Sequence, residues 1–79
     1  MSVIQERVIE LRKAASVSQK ALANAIGVSE IAIQRYEYGM RKPTIDICIA
    51  LADYFNVSLD YLVGRTDEPT INRKDDNHE

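Results

Sequence analysis

Few side chains in this 79-residue chain are equipped to make or break bonds. Cys48 is the only cysteine and His78 the only histidine. His78 lies in an acidic stretch with Asp75, Asp76 and Glu79 and has no cysteine nearby, so neither a zinc site nor a histidine-based catalytic site has its parts. Those carboxylates read as a solvated tail that attracts cations only loosely. Cys48 falls among aliphatic residues and reads as a small buried hydrophobe rather than a redox sensor. Nowhere do a nucleophile, a base and an orienting group occur at credible spacing, so no enzyme is expected, and no cofactor or metal either. What remains is hydrogen-bonding chemistry on Gln34, Arg35, Arg41 and Lys42. Taken singly, the three cations read as solvated surface; only a scaffold that aligns them turns them into a binding face.

That scaffold reads as a series of short helices. Ile4, Val8, Leu11 and Ala15 recur at helical spacing and predict a first helix from about Ser2 to Ala15. Ser18 is a good N-cap for a second helix with core residues Leu22, Ala23 and Ile26, and Gly27 ends it where the chain must turn sharply. Ser29 caps a third helix, anchored by Val28, Ile33 and Tyr36 and closed by Gly39. The loop Met40-Arg41-Lys42-Pro43 follows, with proline biasing Lys42 away from helical geometry. Thr44 caps a fourth helix whose core stripe reads Ile45, Cys48, Leu51, Ala52 and Phe55, with Asn56 as a left-handed stop. Ser58 caps a short fifth helix, Leu59 to Val63, ended by Gly64. The stretch from Arg65 onward has one aliphatic residue, Ile71, and predicts a mobile tail. The expected organisation is therefore one all-α domain over 1–64 and a flexible charged tail over 65–79.

Apolar residues make up 46% of the chain and charged residues 28%, a globular rather than a disordered profile. A lone cysteine cannot staple the chain to itself, which suits a reducing compartment, the cytoplasm. No secretory signal or membrane span is read. The net charge of −2 argues at first against a nucleic-acid partner. The excess of carboxylates lies wholly in the tail, however, and residues 1–64 balance. A neutral domain binds polyanions if its cations share a face, although its long-range steering is weaker.

The most specific signal is the set of positions from Gln19 to Tyr36. Ala23 is small where a following helix must cross, Gly27 makes the turn, and Leu22, Ile26, Val28, Ile33 and Tyr36 fill the wedge. An ordinary helical hairpin needs neither the small residue nor the glycine at those offsets. From about Val8 to Gly64, through LRKAASVSQKALANAIGVS, IQRYEYGMRKP and ALADYFNVSLDYLVG, the chain resembles the helix-turn-helix domain of the lambdoid phage repressor and Cro family. The resemblance implies a compact five-helix, lambda-repressor-like fold that binds double-stranded DNA, commonly as a homodimer on a palindrome.

Carried over position by position, the resemblance places Ser18 and Gln19 against the DNA backbone and turns Ser29, Glu30, Ile31, Gln34 and Arg35 toward the major groove. Arg35 can then bond guanine O6 and N7, Gln34 an adenine edge and Ile31 a thymine methyl. Glu30, a carboxylate that phosphates repel, either accepts from cytosine N4, works by exclusion or serves only to stabilise the helix start. Ser29 would act as an N-cap in any case. Tyr38, Arg41 and Lys42 are implied phosphate contacts; Met40 stands where the family often has a basic residue. Arg12 and Glu37 are implied to form an ion pair joining helix one to the end of helix three.

Ile47 and Tyr54, seven residues apart and opposite the predicted core stripe of helix four, are expected to form an exposed apolar strip. The family's usual dimer interface implies Val57, Leu59, Asp60 and Tyr61, with core closure as the plainer role for Leu59 and Tyr61. Two functional readings follow: a transcription regulator, most simply a repressor, and an antitoxin-type module that binds a protein partner and regulates its own gene.

Overall fold

The computed structural model describes residues 3–71, and these fold into five α-helices. They are α1 (Val3–Ala14), α2 (Gln19–Ile26), α3 (Glu30–Tyr38), α4 (Ile45–Phe55) and α5 (Leu59–Leu62). The start expected at Ser2, and the tail residues Asp75, Asp76, His78 and Glu79, lie outside the described residues.

Local chemistry sets the helix boundaries. Ser18, Ser29, Thr44 and Ser58 all have extended backbones, and each accepts a hydrogen bond from the amide three residues on, which satisfies one of the amides a helix start leaves unpaired. At the other end of α2, Gly27 takes φ +80°, and its amide and that of Val28 both return to the Ala23 carbonyl. A Cβ there would meet nothing within 4 Å. The turn therefore demands glycine for its dihedral angle alone. Asn56 closes α4 at φ 57°, a left-handed position that its short polar side chain tolerates.

Among the described residues, eleven apolar side chains form one core, with Leu22, Ile33, Leu51, Leu62 and Val8 as its largest fully enclosed members. Ala23 is 1% exposed, leaving α3 room to pack against α2. Four expectations require correction. Ala15 lies exposed beyond the end of α1, because the chain turns at Ser16 (φ 58°). Ile45, expected in the core stripe, is 61% exposed. It is the first residue of α4, and side chains lean toward a helix N-terminus, so it projects past the end of the packed region. Ile47, expected on an exposed strip with Tyr54, instead packs against the core; the buried arc of α4 is wider than the stripe. Val57 is likewise a core residue rather than a surface one.

The stretch after α5 departs most from expectation. Arg7 on α1 donates from Nη1 to the carbonyls of Tyr61 and Thr66 and from Nη2 to Asp67 at 2.9 Å, while its guanidinium carbon lies 3.9 Å from the centroid of the Tyr61 ring. The Ser58 amide donates to the Pro69 carbonyl at 2.9 Å. Residues 65–69 are thus strapped along α5, and the folded unit runs past the boundary expected at Gly64. A polar, aliphatic-poor sequence gives no sign of this because its anchor is a cation some sixty positions earlier.

Candidate nucleic-acid interface

The third helix has two faces of opposite character. Ala32, Ile33, Tyr36 and Glu37 are buried behind it. Glu30, Ile31, Arg35 and Tyr38 are exposed and Gln34 is half-buried, all on the other side. A 3.6-residue repeat separates these two sets without a misfit. The short helix is thereby held by its back while its polar and aliphatic tips face outward.

Each capping group leaves a usable donor or acceptor. The Ser29 hydroxyl oxygen accepts from the Ala32 amide at 3.1 Å, and its own hydrogen can still be donated outward. The Ser18 hydroxyl caps α2 in the same way through Ala21 at 3.0 Å. Glu30, in the first turn of α3, complements the positive end of the helix. Among the described residues, no hydrogen bond or ion pair engages the side-chain cations of Arg35, Arg41 and Lys42. Tyr38 and Met40 flank them, 68% and 72% exposed.

The loop carrying Arg41 and Lys42 is set by Gly39, at φ +75°, whose amide returns to the end of α3. A Cβ on Gly39 would lie 2.6 Å from Nε2 of Gln5 on α1. That amide is the far end of a flexible side chain and can swing aside, so glycine answers here to its dihedral angle.

Behind the exposed face, Arg12 and Glu37 are joined through Nε at 2.6 Å and Nη2 at 3.0 Å, with 14% and 3% of their side chains exposed. The Glu37 hydrogen bond raises the Arg12 guanidinium above its ordinary pKa, against the opposing effect of burial. Glu37 also accepts from Gln19 Nε2 at 3.0 Å. That third bond, between side chains on different helices, is the feature sequence reasoning missed.

The implied interface residues behave less uniformly. Tyr54 is 41% exposed, with its ring edge-on to Phe55, and Asp60 is exposed near Arg65. Leu59 and Tyr61 pack partly against the core, and the Tyr61 ring is covered by Arg7.

A family model described as helix-turn-helix matches residues 8–62, taking in α2, the turn, α3 and most of the remaining fold. The chain belongs to this family. Its members are DNA-binding transcriptional regulators and not enzymes. A Bacillus subtilis HTH-type transcriptional regulator, YobD, is 38% identical over 64 residues, covering 81% of this chain and 57% of the relative. The cryptic phage CTXphi transcriptional repressor RstR of Vibrio cholerae is 39% identical over 67 residues, covering 82% of this chain and 60% of that protein. This helix-turn-helix chain therefore spans rather more than half the length of those relatives. In three dimensions it is similar to the P22 c2 repressor crystallised with a synthetic operator, with TM-score 0.74 and 32% identity over 80% of this chain and 96% of that one. The all-α, five-helix architecture is that of the phage repressor DNA-binding domains.

Proposed function

We propose that this protein binds double-stranded DNA sequence-specifically and regulates transcription, as a repressor acting from the cytoplasm as a homodimer on a palindromic operator. The two-faced α3 carries this reading: its buried back fixes the helix, and its front offers Glu30, Ile31, Gln34 and Arg35 together with the Ser29 cap. Arg35 reads guanine through O6 and N7, Gln34 reads adenine, and Ile31 meets a thymine methyl. Glu30 accepts from cytosine N4 and repels alternatives. Ser18 and Gln19 at the start of α2, Tyr38 at the end of α3, and Arg41 and Lys42 in the loop that follows hold the phosphates. No described helix is long and apolar enough to cross a membrane.

For the dimer, Tyr54, Leu59 and Asp60 supply the reachable contacts, with Tyr61 shaping the surface from beneath Arg7; Val57 and Ile47 support it from the core. Selection of duplexes from a random pool is expected to return a palindrome with half-sites about one helical turn apart. Failure to enrich any motif would overturn the proposal and favour a protein partner instead.

Two substitutions separate base reading from phosphate holding. Arg35→Ala is expected to cost about 1 to 3 kcal/mol of discrimination at one base pair. Lys42→Ala is expected to weaken every duplex alike and flatten the salt dependence by about one unit. Binding isotherms on matched and single-mismatch duplexes across a salt series test both. Equal behaviour of the two variants would remove the base-reading role of Arg35.

A further inference from the structure

Three helices meet at one carboxylate. Glu37, in the last turn of α3, accepts from Arg12 on α1 and from Gln19 Nε2 at the first position of α2. Arg12 then uses Nη1 to donate to the Val17 carbonyl at 3.1 Å, just before the Ser18 cap. An ion pair that served only to join α1 to α3 would be complete without these additions, since the arginine fork already supplies both carboxylate oxygens. The added bonds reach the start of α2 by two routes, one through the Gln19 side chain and one through the Val17 backbone.

The segments so linked are the two assigned above to phosphate. One is the start of α2, with Ser18 and Gln19. The other is the end of α3, which leads through Tyr38 and Gly39 to Arg41 and Lys42. Phosphates on a duplex recur at set intervals, so two contact points act together only if their separation is already fixed; otherwise each must be ordered on binding at an entropic cost. We infer that Glu37, acting through Gln19 and Arg12, is a positioning residue that presets the spacing of the two phosphate-contacting segments on either side of α3. The inference rests on the DNA-binding reading and adds a division of labour to it. Bonds behind the helix govern backbone affinity, while the tips of α3 govern sequence.

Two variants test it on the duplex that the wild-type protein selects. Arg12→Lys keeps the net charge but withdraws the planar fork and the bond to Val17. Gln19→Asn keeps an amide at the first position of α2 but shortens it by one methylene, withdrawing it from Glu37 and leaving the ion pair intact. Per folded molecule, each is expected to lower affinity about tenfold, as loss of one hydrogen bond to a charged group would. Each should also flatten the salt dependence by about one unit, with the matched-to-mismatched ratio at the Arg35 base pair unchanged. The double variant is expected to bind no worse than the weaker single one. A merely structural network would lower the unfolding midpoint yet leave affinity and salt slope per folded molecule at wild-type values, and that result overturns the inference. Because Gln19 is itself assigned to phosphate, a loss seen in Gln19→Asn but not in Arg12→Lys is loss of that direct contact and overturns the inference. If Arg12→Lys does not fold, Glu37→Gln, which leaves every phosphate-contacting side chain in place, is measured instead with the same expected loss. Wild-type binding with unaffected variants rejects the positioning role only, whereas absence of wild-type binding at low ionic strength rejects the DNA reading with it.

Discussion

Replacing Glu37 with alanine is expected to destabilise the domain by about 3 to 5 kcal/mol, because it strands the Arg12 guanidinium, 14% exposed, without its counter-charge. A domain of this size typically holds about 4 to 12 kcal/mol in all, so the loss brings the chain close to its folding threshold. Urea unfolding followed by helical circular dichroism measures it; a change below about 1 kcal/mol would mean the pair behaves as an exposed one. The cost belongs to the orphaned charge rather than to the pair. Replacing both partners by apolar residues of similar size, Arg12→Met with Glu37→Leu, is accordingly expected to recover most of the stability. That double variant would fold and still bind DNA poorly if the network positions phosphate contacts. Stability and affinity would then part company at a site behind the interface.

The same pair bears on pH. Arg12 has its folded-state pKa raised, so its contribution is complete below the ordinary arginine value and is lost only as pH climbs through the higher folded one. The arginine therefore gives stability no slope across the neutral range.

Much of this was legible from sequence for a definite physical reason. Helix ends are local events: a hydroxyl three residues before an amide, or a glycine where φ is positive, leaves its mark within a few positions. Ser18, Gly27, Ser29, Thr44 and Ser58 all take their expected places. The back of the third helix was legible for the same reason, Ile33 and Tyr36 recurring at helical spacing, whereas the exposed Ile31 and the buried Glu37 do not follow from polarity alone. Illegible were the contacts set by tertiary geometry. Arg7 reaches across to Tyr61, Thr66 and Asp67, Gln5 lies against Gly39, and Gln19 turns inward to Glu37. Each joins residues whose separation in sequence carries no period. Ile45 and Ile47 exchanged their expected environments because a stripe drawn at helical spacing fixes its centre better than its edges or its ends.

Ile33→Ala carries the other large effect and tests whether α3 has two independent faces. Ile33 is fully enclosed in the core cluster, and truncating such a side chain costs about 2 to 5 kcal/mol through lost transfer energy and the cavity left behind. Its neighbour Ile31 is the same residue type, two positions away and 56% exposed. Ile31→Ala is expected to leave stability within about 0.5 kcal/mol of wild type, as surface changes usually do. The two variants should then separate by experiment. Ile33→Ala lowers the unfolding midpoint, and operator duplex in excess raises it again, because binding draws the equilibrium toward the folded form. Ile31→Ala leaves the midpoint in place and weakens only duplexes with thymine at the base pair it meets. Equal destabilisation by both would mean that α3 is packed on its outer side as well, and no face would remain to enter a groove.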